Sequence, residues 1–138
     1  MKRLLLLIPL LLIAPAANAV DYLKCDAMLK AKNRLEQARE TQPQADATRS
    51  RIQTFNKICA DYGYTIEEIF TWLAKELKKG KNPTTADMPP SMKLAVDCET
   101  RNNEFLRQIA NTAERMSKEK IEKNYRKVLL DLRSEGCF

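Results

Sequence analysis

Cysteine occurs four times in this 138-residue chain, at positions 25, 59, 98 and 137, and histidine does not occur at all. Consecutive cysteines stand more than 30 residues apart, which is too far for a zinc knuckle or a redox C-x-x-C pair. The opening residues say what the cysteines are for. Lys2 and Arg3 form a basic start, Leu4 to Ile13 is an apolar run, and Ala17-Asn18-Ala19 supplies the small-x-small pattern of a signal-peptidase site. That run is short of the roughly 20 residues a membrane span needs, so residues 1–19 read as a cleaved signal peptide. No cysteine follows the cleavage site to take a lipid, and the short basic start points to a bacterium. Four cysteines in an exported chain predict two disulfides.

The mature chain is then expected to run from Val20 to Phe138 as a single helical domain, with one modest core. Loss of Lys2 and Arg3 takes the formal net charge from +6 to +4. Only three glycines occur, at 63, 80 and 136, and between the breakers apolar residues recur in steps of three and four. That is helical spacing, and no stretch alternates as a strand would. Tyr22, Cys25, Met28, Leu29, Leu35 and Ala38 predict a first helix over about 21–40. Pro43 ends it and opens a second, carried by Ala45, Thr48, Ile52, Phe55, Cys59 and Tyr62. A third helix spans 66–79, with Ile66, Ile69, Phe70, Leu73 and Leu77 as its core face and Gly80 as its stop. Residues 81–91 form a Pro-rich loop. Beyond Ser91 no glycine or proline appears until Gly136. A single helix there would be roughly 60 Å long, too long for a compact body, so a break is expected near Ser117.

The fold class is therefore all-α: a small disulfide-stapled bundle of four to five helices, arranged as two antiparallel hairpins joined by the third helix and the loop. Facing residues in a hairpin lie equally far from its turn. The midpoint of 25 and 59 is residue 42, and that of 98 and 137 falls between 117 and 118. Both coincide with expected turns, so the expected pairs are Cys25–Cys59 and Cys98–Cys137.

Little in the chain supports catalysis. Without histidine there is no Ser-His or Cys-His pair, no haem motif C-x-x-C-H, and no Glu-x-x-His for a di-iron bundle. The Ser117-to-Lys120 match to S-x-x-K lacks its companion motifs and reads as coincidence. Met28, Met88, Met92 and Met116 are scattered rather than clustered for copper. No catalytic residue, metal or cofactor is assigned. The enzymatic alternative is a carboxylate-based envelope hydrolase using Glu67, Glu68, Asp97 or Glu99, which would require two acids facing one cleft.

The densest stretch, Ile58 to Leu73, reads mostly as a helix junction. Gly63 fits the left-handed end of one helix in a Schellman motif, with Cys59 and Tyr64 at its packing positions. Thr65 and Glu68 form a capping box, while Tyr64 and Ile69 occupy the two positions of a hydrophobic staple. Trp72, the only tryptophan, falls about 120° off the core face at 100° per residue. Tryptophan is enriched at binding hot spots. The expected contact residues are Trp72 with Met88 and Pro89 of the loop and Lys78 and Lys79 beside it, because a stapled scaffold carries its variable chemistry on its loop. The expected function is a non-enzymatic binding module of inhibitor, immunity or chaperone type, acting on an envelope or secreted protein partner in the periplasm or outside the cell. An export signal argues against nucleic acid. The lysine-rich helix ends leave weak contact with an anionic envelope surface as a further alternative.

Overall fold

The computed structural model describes residues 20–138, so the signal-peptide assignment lies outside the described residues. Four α-helices account for most of that span: α1 (Tyr22–Ile58), α2 (Ile66–Lys78), α3 (Pro90–Arg101) and α4 (Asn103–Ser134). Short 3-10 turns at Ala60–Tyr62 and Thr85–Asp87 complete the order, and no strand occurs among the described residues. The protein is a disulfide-stapled all-α bundle, as its spacing predicts. Its topology differs from two sequential hairpins.

The helix over 22–58 is uninterrupted. Pro43 sits inside α1, which runs for 37 residues or about 55 Å. Proline in a helix interior removes the N–H that would reach the Arg39 carbonyl and costs about 3 kcal/mol in isolation. Here its ring is buried, in the wall that also holds Ile121 of α4. Tertiary packing overrides the local breaker.

The second expected break is also displaced. Residues 90–134 do divide, but at Asn102, which caps α3 with φ −104° and ψ 10° while its side-chain amide donates to the Cys98 carbonyl at 2.8 Å. Asparagine competes for backbone in this way. Ser117, the expected break, is buried mid-helix, and its hydroxyl donates to Asp46 Oδ2 at 2.8 Å.

α1 and α4 lie antiparallel along most of their length, and polar pairs set their register. Lys24 meets Glu135 at 2.6 Å. Tyr125 donates to Glu36 at 3.0 Å, and the Arg39 fork grips Glu122 at 2.7 and 3.0 Å while stacking 3.7 Å over the Tyr125 ring. Ser117 meets Asp46, and Arg51 reaches Asn103 at 2.9 Å. Each advance along α1 is matched by a retreat along α4. Paired with each other in this way, the helices need no compact third layer, and lengths that would not fit a globule are accommodated. The tightest core lies at one end of this long pair, where Phe55, Cys59, Ala95, Cys98 and Leu106 pack together.

These helices dictate the cysteine pairing, which is Cys25–Cys137 and Cys59–Cys98. The expected pairs, Cys25–Cys59 and Cys98–Cys137, are wrong for a simple reason. Cys25 and Cys59 stand at opposite ends of one rod, about 50 Å apart at 1.5 Å per residue, whereas bridged cysteines have Cα atoms within about 7 Å. The observed bridges are nested. Their midpoints, Lys81 and the bond between Lys78 and Lys79, nearly coincide at the turn after α2. Equal spacing from a turn therefore held for both arrangements, and it could not choose between them.

α4 ends on a full Schellman motif. Gly136 is left-handed at φ 69°, its N–H bonds to Arg133 O, and the N–H of Cys137 bonds to Leu132 O. This turn delivers Cys137 to Cys25.

α2 turns Ile66, Ile69 and Leu73 inward as expected, but not Phe70 and Leu77. Phe70 is 60% exposed and Leu77 53% exposed, and no residue of α2 is fully buried. The edge turned inward carries Ile66, Ile69, Trp72, Leu73 and Glu76. Glu76 on this edge pairs with the exposed Lys79 at 3.0 Å and Lys81 at 3.7 Å. Ile66 and Ile69 pack on the core with Tyr62 and Tyr64.

Candidate functional site

The turn between α1 and α2 builds the site. α1 ends at Ile58 rather than running to Tyr62, and the next residues close a 3-10 turn in which Tyr62 N–H bonds to Cys59 O and Gly63 N–H to Ala60 O. Gly63 is left-handed at φ 77°, as expected, but it terminates this tighter turn, not the α-helix, and the Tyr64-to-Cys59 bond of a Schellman motif is not formed. The capping box is present as read. Glu68 N–H donates to Thr65 Oγ1 at 3.2 Å, and Thr65 N–H donates to Glu68 Oε2 at 2.8 Å. Asn56 of α1 pins the same corner, accepting from Ile66 N–H at 2.9 Å and donating to Glu67 at 3.1 Å.

The Cys59–Cys98 bridge then sets α3 against this turn. Pro89 and Met92 come to face Tyr62, Tyr64 and Trp72 across a groove of about 690 Å³, with Lys75 on its wall. Tyr62, Tyr64 and Trp72 are all half-buried, each presenting part of its surface, while Met92 is buried. Behind the groove, the Arg101 guanidinium donates to the Tyr62 hydroxyl at 3.1 Å. A second and wider groove of about 840 Å³ runs along α1, between Ala45, Thr48 and Ile52 and the Glu67 carboxylate of α2. Its lining also includes Glu40, Gln44, Arg49 and Gln53, and it carries no aromatic ring.

Of the five contact residues read from the sequence, the structure brings Trp72 and Pro89 together. Met88 adjoins Pro89 and is half-buried, but it does not line the groove. Lys78 and Lys79 are exposed at the end of α2, outside the groove, and Lys79 is paired with Glu76. The lysine that does line it is Lys75. Sequence reasoning assigned Tyr62 and Tyr64 to packing and capping alone, and both also present ring surface to the groove. The Tyr-Gly-Tyr triplet beside a tryptophan was the visible signal. Its partner wall on α3 was hidden by the wrong disulfide pairing.

Three of the four acids named for a hydrolase have structural partners, while Asp97 is exposed on α3. Hydrogen bonds from its own backbone N–H and from Asn56 hold the Glu67 carboxyl below its ordinary range. Glu68 closes the capping box, and Glu99 pairs with Arg51 at 2.8 Å. Among the described residues, no three histidine, cysteine, aspartate or glutamate side chains cluster as a metal site. All four cysteines are oxidised, which places the protein in an oxidising, non-cytoplasmic compartment. No helix among the described residues is long and apolar enough to cross a membrane. Comparison with protein-family models, with curated proteins and with solved structures gives no match.

Proposed function

We propose that this is a small exported binding protein without catalytic activity, acting on an envelope or secreted protein partner in the manner of an inhibitor, an immunity protein or a chaperone. The observation that carries this reading is the groove in which Tyr62, Tyr64 and Trp72 stand together with their rings partly open to solvent. Aromatic side chains present large, stiff contact area, and tryptophan and tyrosine dominate binding hot spots. The scaffold beneath is rigid. The nearby disulfide, the capping box and the Asn56 clamp all hold the groove without a partner, so little ordering cost falls on binding. Export rests on the signal peptide read at residues 1–19 and agrees with the oxidised cysteines, with the bacterial periplasm or the exterior as destination.

The test is affinity capture from an envelope extract with the mature, oxidised chain as bait, followed by mass spectrometry. A reproducible protein partner is expected, lost on Trp72→Ala and retained on Lys78→Ala, which lies outside the groove. Capture insensitive to Trp72→Ala would overturn the assignment of the surface. Turnover of an envelope substrate with no partner captured would overturn the function. Binding to anionic vesicles that disappears with added salt, independent of Trp72, would instead favour an envelope-surface role.

A further inference from the structure

We infer that the outward edge of α2, formed by Phe70, Ala74 and Leu77, is the contact through which two copies of this chain make an antiparallel, two-fold symmetric dimer. The apolar stripe of α2 is wider than the side it buries. Ile66, Ile69 and Leu73 turn inward, whereas Phe70 is 60% exposed, Leu77 is 53% exposed and Ala74 is exposed between them. These three recur at i, i+4 and i+7, so they form one continuous edge. Single exposed apolar side chains need no partner, but a rank of them along one helix marks a contact surface. At 100° per residue the edge points roughly 170° away from Trp72. It is therefore separate from the groove described above, and the inference does not rest on that groove.

The edge is self-complementary, and this selects a second copy as its occupant. The midpoint of Phe70 and Leu77 falls between residues 73 and 74, and that of Glu67 and Lys78 between 72 and 73. Glu67 and Lys78 are the charged residues of α2 that flank the edge, and both stand exposed on its solvent side. Neither makes an ion pair among the described residues, and the Glu67 carboxylate meets only neutral donors, from Asn56 and the backbone. An antiparallel crossing near Ala74 sets each Phe70 against Leu77 of the other copy and each Glu67 against its Lys78. A parallel crossing would bring like charges together, which is unfavourable. Ala74, small and central, lets the two helices approach closely.

The Glu67 end of the edge opens onto the groove of about 840 Å³ along α1, which Ala45, Thr48 and Ile52 line. In the antiparallel pair, the chain beyond Leu77 of the second copy runs toward that groove and extends the contact from α2 onto α1. One helix edge with a groove is a modest area, of the class below about 1,200 Å² that dissociates readily. The dimer is accordingly reversible and depends on concentration. It carries its two Trp72 grooves on the sides away from the contact, so a partner with two matching segments would gain from bivalence.

The experiment is sedimentation velocity on the mature, oxidised chain from micromolar to millimolar concentration. Reversible conversion of monomer to dimer is expected, and Trp72→Ala, which tests the groove, should leave it intact. Phe70→Asp and Leu77→Asp each place two charges in the apolar centre and should leave a monomer throughout. Both positions are exposed, and unchanged circular dichroism is the check on folding. Glu67→Lys and Lys78→Glu each turn two opposite-charge pairs into like-charge pairs and should weaken their own dimers about tenfold. Mixed in equal amounts, these two variants restore both pairs and should form a heterodimer about as tight as the parent dimer. In a parallel pair the single variants would not weaken. A monomer at every concentration, a dimer indifferent to Phe70→Asp and Leu77→Asp, or a mixture no tighter than its components would each overturn the inference. Vesicle binding, or capture of a different protein, by a monomeric chain and lost on Phe70→Asp would give the edge another occupant and overturn it as well.

Discussion

The Cα atoms of Cys59 and Cys98 lie 6.0 Å apart, and this closure sets the start of α3 beside the Tyr62–Gly63–Tyr64 turn. The bridge is thus both a staple and the device that assembles the groove. Cys59→Ser with Cys98→Ser should lower stability by about 4 kcal/mol, the chain-entropy value for a closed loop of about 40 residues. It should also shift Trp72 emission to the red below the melting transition as α3 loosens. Cys25→Ser with Cys137→Ser releases a loop of 112 residues, worth about 5 kcal/mol on the same account. That bridge lies at the opposite end of α1, so Trp72 emission in the folded state should not change. Peptide mapping without reductant should recover Cys25 joined to Cys137 and Cys59 to Cys98, and any other pairing refutes the fold described above.

Pro43 offers a gain in stability. Pro43→Ala restores the N–H that the Arg39 carbonyl lacks, and alanine is about 3 kcal/mol better than proline in a helix interior. Loss of the buried ring takes back about 1–2 kcal/mol. A net stabilisation of about 1–2 kcal/mol is expected from urea denaturation, and a destabilised variant would mean that the ring organises the α1–α4 contact.

Acid should weaken the α1–α4 pairing. The Ser117 and Gln42 side chains hold the Asp46 carboxyl below its ordinary range, and Lys32 and Tyr125 do the same for Glu36. A carboxyl whose folded pKa is depressed contributes stability above its unfolded pKa, and that contribution is lost as pH falls through the folded value. Loss should therefore begin as pH drops below about 4.5, the ordinary glutamate value, and continue below 3.8, that of aspartate. Asp46→Asn with Glu36→Gln should flatten melting temperature against pH across that window while leaving its trend near neutrality unchanged. Equal slopes in variant and parent would show that other carboxyls carry the acid response.

Gly136→Ala isolates a backbone effect. A Cβ at this position would meet only Val20 Cγ2 at 3.8 Å, an ordinary contact, but the residue is left-handed at φ 69°. The cost should be about 1 kcal/mol from backbone strain alone, measured by thermal or urea denaturation. A loss well beyond that would mean the Schellman turn is required to bring Cys137 to Cys25.

Legibility divides along range. Thr65 and Glu68, three residues apart, were readable as a capping box, and they form one. Gly63 was readable as left-handed, although the turn it closes is tighter than expected. The failures concern Pro43, Ser117 and the cysteines, where a local sign was overruled by a residue far away in sequence. Ser117 resembled a helix start until Asp46 supplied a partner for its hydroxyl. Trp72 was singled out because it left the apolar stripe of α2, and the structure explains the offset: α2 turns the Trp72–Glu76 edge inward and leaves Phe70 and Leu77 in solvent.

By itself the sequence determined that the chain is helical, that it is stapled by two disulfides, that Gly63 is left-handed, and where the capping box of α2 falls. Those features depend on dihedral preferences and hydrogen bonds that act within about one helical turn. Only the tertiary structure decided that α1 continues through Pro43, which cysteines meet, and that Tyr62, Tyr64 and Trp72 face Pro89 and Met92. The physical reason is degeneracy. Sequential and nested pairings place the cysteines equally far from a turn, and the choice falls to the packing and ion pairs that join α1 to α4 along their length.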